Sequence, residues 1–92
     1  GDAMPSPICQ GDSTTGDGEV TRCQLAATHR INGHPLAVKG DYATCSLHPG
    51  EHSFVEGSST LLANGLPIVL EGHLLSCGCR AIAGKAACIK VG

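Results

Sequence analysis

The sequence predicts a small all-β domain built from three β-hairpin repeats related by pseudo-threefold symmetry and pinned by a metal. Three observations predict it. Thirteen glycines and five prolines in 92 residues are too many for a helical bundle and suit short strands joined by turns. An internal repeat runs through the chain. Cysteines and histidines gather in two loops, "CSLHPGEH" at 45–52 and "GHLLSCGC" at 72–79.

The repeat fixes the elements. "ATHRINGHPLAVKGDYATC" (27–45) aligns without a gap on "STLLANGLPIVLEGHLLSC" (59–77), at an offset of 32 residues. Asn32-Gly33 matches Asn64-Gly65, Pro35 matches Pro67, Gly40 matches Gly72 and Cys45 matches Cys77. Two end fragments complete the pattern. "GDSTTG" (11–16) resembles "GDYATC" (40–45), with Gly16 where the other copies carry Cys45 and Cys77. "AGKAACIKVG" (83–92) resembles "EGSSTLLANG" (56–65), with Gly84 against Gly57. The chain thus holds about three copies of one unit, with the termini splitting a copy. Each unit reads as strands, because apolar and β-branched runs flank Asn-Gly, whose residues tolerate the positive φ of a type I′ hairpin turn. The prolines cannot donate to a ladder and belong at strand starts or edges, with the glycines at 40, 57, 72 and 84 at corners. No window carries a helical apolar period over three turns.

Composition bounds the function. With one Phe, one Tyr and no Trp, the core must come from Ala, Val, Leu and Ile, so a second device should hold so short a fold. The net charge of −2 and scattered basic residues argue against a nucleic-acid partner. No apolar run approaches the roughly 20 residues of a membrane span, and no signal peptide is visible. Gly1-Asp2-Ala3 ahead of Met4 reads as an expression remnant, leaving 4–92 as one domain.

Six cysteines permit two readings. In an oxidising compartment they form three disulfides; in a reducing one, Cys mixed with His reads as a metal site, which the lack of a signal peptide favours. Cys45 and His48 stand at Cys-x-x-His spacing, which lets one turn present both groups to one ion. The second loop adds His73, Cys77 and Cys79. Equivalence of Cys45 and Cys77 under threefold folding brings the two loops to the same end. His48, His73 and Cys77 are the favoured ligands for zinc, with Cys45 the leading fourth; Cys79 and His52 stay open. His29 and His34 read as surface groups, Cys88 as core, and Cys9 with Cys23 as a pair able to join in an oxidising space.

The order Gly-Asp-x-Thr-Thr, Asn-Gly-x-Pro, Gly-Asp-x-x-x-Cys-x-x-His, Val-Glu-Gly-Ser-x-Thr, Asn-Gly-x-Pro and Gly-His-x-x-x-Cys-Gly-Cys resembles the PAAR family, named for a proline-alanine-alanine-arginine repeat. The resemblance spans nearly all of 4–92. It implies a cone of β-hairpins with zinc near its point, held mainly by histidines with one cysteine; His48, His73 and a cysteine of "CGC" match by position. It also implies that the base sits on the trimeric valine-glycine-repeat spike protein of a type VI secretion system. The cone would sharpen the spike and recruit or carry effector proteins, waiting in the bacterial cytoplasm and leaving with the spike. Three departures stand out. Gly16 replaces a histidine common after Thr-Thr, which Cys45 could offset. "PLAV" (35–38) and "PIVL" (67–70) replace the arginine-bearing signature, and "TRCQLAAT" replaces a glycine-serine turn. The chargeless "PLAV" and "PIVL" strands, through Leu36 and Ile68, are expected in the docking surface. Competing classes are a disulfide-stapled secreted binding module and a small enzyme using Cys45 with His48; nucleophilic catalysis also wants a third orienting group and a cleft, a hairpin repeat offers little cleft, and zinc explains the same pair.

Overall fold

The computed structural model describes residues 6–31 and 33–83. Among them the regular structure is entirely short strands: β1 (Ser13–Thr14), β2 (Val20–Arg22), β3 (Arg30–Ile31), β4 (His34–Pro35), β5 (Tyr42–Cys45), β6 (His48–Ser53), β7 (Leu62–Ala63), β8 (Leu66–Pro67) and β9 (Ala81–Ile82). The Asn-Gly signal works as the sequence predicts. Asn64 and Gly65 have φ of 51° and 79°, and Ala63 pairs with Leu66 across them, so β7 and β8 enclose a two-residue turn with both central residues left-handed. Pro67 pairs with Leu62 at the outer end of that ladder, as Pro35 pairs with Arg30 between β3 and β4.

Backbone hydrogen bonds make the threefold repeat physical. Ile8 N–H donates to the Val69 carbonyl (2.9 Å), Val69 to Ala37 (3.0 Å) and Ala37 to Ile8 (2.8 Å), closing a ring of three segments. The next turn repeats in each unit: Gly11, Gly40 and Gly72 donate to Val20, Phe54 and Ala81 at 3.0, 3.0 and 2.9 Å. A third set joins neighbouring hairpins, with Thr44 donating to Glu19 (2.9 Å), Ser76 to Ser53 (2.8 Å) and Thr15 to Arg80 (2.9 Å). These sets equate Ala37 with Val69, Gly40 with Gly72 and Thr44 with Ser76, which is the 32-residue offset of the sequence repeat. β2 pairs with β5, β5 with β6, and β9 returns to β1, so the three hairpins close on themselves and leave few open ladder edges. The terminal repeat fragment from Gly84 onward, with Cys88, lies outside the described residues.

Closure explains how a nearly aromatic-free chain finds a core. Ile8, Ala37 and Val69 come from equivalent positions, as do Val20, Phe54 and Ala81, and all are buried with Ala43 and Leu75. Small side chains suffice because three backbones already crowd the interior. A second cluster gathers Cys9, Leu25, Leu36, Val38 and Ala63, with Ile68 packed against it.

That packing corrects two sequence expectations. Leu36 is 6% exposed, so its side chain is an interior one and offers no docking face, whereas Ile68 packs against the same cluster and stays partly exposed. Cys9 is fully buried and disulfide-bonded whereas Cys23 is a free thiol, so the two do not pair with each other. Their different settings are the reason: Cys9 sits within the second cluster, and the Cys23 thiol points at the Pro35 carbonyl, 3.8 Å away.

Candidate metal centre

The hairpin turns bring the soft ligands together. β5 delivers Cys45 and β6 begins at His48, and the two are register partners across Ser46-Leu47. The Cys45 Sγ lies 3.6 Å from His48 Nδ1. The third unit turns at 75–79, where Gly78 N–H donates to the Leu75 carbonyl (2.9 Å) and Leu75 N–H to Cys79 (2.8 Å). Gly78 carries a φ of 97°, which lets Cys77 and Cys79 flank so tight a corner.

The ligand atoms of Cys45, His48, Cys77 and Cys79 all lie within 4.8 Å of one another. A tetrahedral ion with bonds of about 2.0–2.3 Å holds its ligand atoms roughly 3.3–3.8 Å apart, so this group could hold one ion once the Cys45 and Cys79 sulfurs separate. Cys45 and Cys79 are buried, Cys77 is partly buried and His48 is the most open of the four. Three thiolates and an imidazole form a donor set for a soft or borderline cation. Cys45 and Cys79 also touch through sulfur and can be joined as a disulfide; their Cα atoms are 6.9 Å apart, just beyond the usual bridged range of about 4.4–6.8 Å.

His73 is placed differently from the other candidates. Its Nδ1 accepts a hydrogen bond from Leu70 N–H at 3.0 Å, and it lies outside the four-residue group. The repeat shows what it does there. Asp41 Oδ2 accepts from Val38 N–H (2.7 Å) and Asp12 Oδ2 from Cys9 N–H (2.9 Å), so His73 is the third unit's version of a side chain that locks a glycine corner. His52 also lies outside the group, with Nε2 3.2 Å from the His48 carbonyl and its ring edge-on to the His48 ring at 6.1 Å. Both Cys77 and Cys79 belong to the group, although the Cys-x-Cys spacing suggested that only one would. The position that the sequence left as a mere gap in the ligand set, Gly16, sits against the Cys45 and Cys79 sulfurs.

A separate groove of about 270 Å³ is lined by Arg22, Cys23, Gln24, Asp41 and Tyr42. Its thiol is no nucleophile, because burial and then the nearby Asp41 carboxylate push Cys23 up to about 12. Arg22 lies over the Tyr42 ring, 4.8 Å from its centroid, and pairs with Glu51 at 2.6 Å. Thr21 and Arg22 hold the Glu51 carboxyl below its ordinary range. The Cys45–His48 pair lies away from this groove and belongs to the ligand cluster.

The family model for the PAAR motif matches residues 10–83, which takes in all three hairpins and every ligand of the cluster. No curated protein matches the chain.

Proposed function

The chain belongs to the PAAR-motif family, and from that premise we propose that it is the zinc-pinned tip that caps and sharpens the trimeric spike of a type VI secretion system and helps bring effectors with it. The family is a structural one, and the observation that carries the reading is the Cys45, His48, Cys77 and Cys79 group where the hairpin turns converge. A piercing part needs rigidity at its point, which a crosslink between hairpins adds to the packing of Phe54 and Leu75 with Cys45 and Cys79. Four ligands from two adjacent hairpins would leave no open coordination position, as in structural zinc sites. Zinc bound there supplies a crosslink between hairpins, and its binding free energy adds to folding. A pseudo-threefold chain also suits a threefold partner, one tip per spike trimer.

Two measurements test this. Metal analysis of the reduced, purified chain should give one zinc per chain, lost when His48 or Cys77 is changed to Ala. Sedimentation with a trimeric valine-glycine-repeat spike should give one chain per trimer. A chain without metal overturns the zinc-pinned point, and absence of any spike complex overturns the tip assignment. The sulfur contact between Cys45 and Cys79 favours one alternative, a disulfide-stapled binding module. Thiol counting separates it, since a metal site leaves Cys45 and Cys79 titratable after chelation.

A further inference from the structure

The three repeats contribute unequally to the ligand cluster, and the inequality has a steric cause. Gly16, Cys45 and Cys77 are equivalent positions: the offsets that relate Gly11 to Gly40 to Gly72 relate these three as well. Two of them bear thiols and the third bears no side chain. Gly16 is buried, and its φ lies outside the left-handed region, so backbone conformation does not call for glycine there. Space does. A Cβ on residue 16 would overlap the Cys45 Sγ and stand 3.1 Å from the Cys79 Sγ and 3.3 Å from the Cys45 Cβ. The backbone cannot back away cheaply, because the Gly16 carbonyl accepts from Ser46 N–H at 2.7 Å and from the Ser46 hydroxyl as well. Two residues earlier, at the end of β1, the Thr14 hydroxyl donates to the Thr44 carbonyl at 3.0 Å. The movable part is the Cys45 thiol, which relieves the overlap by rotating off the cluster.

We propose that Gly16 is the positioning residue that sets the metal-ligand set: the first repeat supplies room where the other two supply ligands, and that room is what the Cys45 thiol occupies. This rests on the metal reading of the Cys45, His48, Cys77 and Cys79 group. With a side chain at 16 that carries no donor, such as alanine, the site becomes a three-ligand one of His48, Cys77 and Cys79 with a position open to solvent. Selectivity for a thiolate-rich, soft cation therefore depends on a residue that touches no metal.

The test is a double-mutant cycle on the full chain with cobalt(II) as the spectroscopic probe and zinc competition as the affinity measure. Gly16→Ala should weaken metal binding roughly 10–100-fold, the range for residues that position ligands. Its thiolate-to-cobalt absorption should drop by about a third, and free imidazole should now perturb the cobalt spectrum as it enters the open position. Cys45→Ala should show the same spectrum. Adding Gly16→Ala to Cys45→Ala should change affinity less than twofold, because the overlap has gone. Should Gly16→Ala weaken binding as much without Cys45 as with it, or leave three-thiolate absorption intact, the role given to Gly16 is wrong while the metal site stands. A parent chain that takes up no metal overturns both.

Discussion

Cys77→Ala distinguishes a metal crosslink from a disulfide, because Cys77 is a free thiol yet lies in the ligand group with Cys45 and Cys79. Were a Cys45–Cys79 disulfide the staple, the 34-residue separation it closes would be worth about 3.8 kcal/mol at 25 °C in the chain-entropy account. Cys45→Ala would lose that amount, and Cys77→Ala only the contacts of one half-buried sulfur, about 1 kcal/mol or less. Were a metal the staple, every ligand would share in a binding free energy of about 10–16 kcal/mol in small zinc domains, and either variant would forfeit several kcal/mol. In a domain of this length each kcal/mol moves Tm by about 4–8 °C, so a loss near 3.8 kcal/mol is a drop of about 15–30 °C. We expect Cys77→Ala to fall that far, alongside Cys45→Ala, in calorimetric scans of zinc-loaded protein. A chelator should lower the parent's Tm comparably, and a reductant should lower the parent's Tm no more than that of Cys45→Ala, since the Cys9 disulfide is common to both. A Cys77→Ala Tm within a few degrees of the parent's, together with a drop on reduction that Cys45→Ala does not show, would refute the metal crosslink.

Four further outcomes follow from the packing and from the buried Cys23 thiol. Phe54 is 1% exposed and fills the interior between the hairpins, so Phe54→Ala should cost about 3–5 kcal/mol, a large share of what a 92-residue chain has, read as a shifted denaturation midpoint at unchanged slope. Leu36→Asp should unfold the chain, because it sets an unpaired carboxylate within the second cluster; a folded variant by circular dichroism would contradict the buried placement of "PLAV". Cys23, held protonated to about 12 against an ordinary 9.0, should be alkylated at pH 8 about a thousandfold more slowly in the folded chain than in urea. The same shift gives a sign to alkaline stability. The raised thiol contributes stability in full below pH 9 and loses it as pH rises towards 12, so Cys23→Ala should flatten that decline.

Much of the fold was legible because the repeat is a backbone property. A tight hairpin turn needs positive φ, which Asn-Gly tolerates, and the glycine corners recur at fixed offsets, so the alignment of 27–45 on 59–77 carried straight into the hydrogen-bond rings. The ligand set was only partly legible. In the sequence His73 stands among the favoured ligands and Cys79 stays open, although both flank Cys77 in one loop. What separates them is corner chemistry: Asp12 and Asp41 cap their turns through side-chain oxygens, and His73 does so through Nδ1. Comparing residue 73 with its equivalents at 12 and 41, and not only with its neighbours, would have exposed that role. The docking expectation failed at Leu36 for another reason. An apolar, uncharged strand has the same composition whether it faces a partner or its own core, and only closure of the three hairpins decides between them.

Symmetry and site pull in different directions here. A ring of three hairpins is stable because equivalent positions meet, as Ile8, Ala37 and Val69 do through their hydrogen bonds. A point on the axis cannot take a full set of equivalent ligands, because a tetrahedral ion wants four donors and three units offer multiples of three. The sequence resolves the mismatch at the turns, where strand pairing no longer constrains it. The second unit gives Cys45 and His48, the third gives Cys77 and Cys79, and the first gives Gly16. Two donors, two donors and none make four, so on the proposed metal reading the departure from threefold symmetry at this cluster matches the coordination number, while the hairpins keep the symmetry that holds them closed.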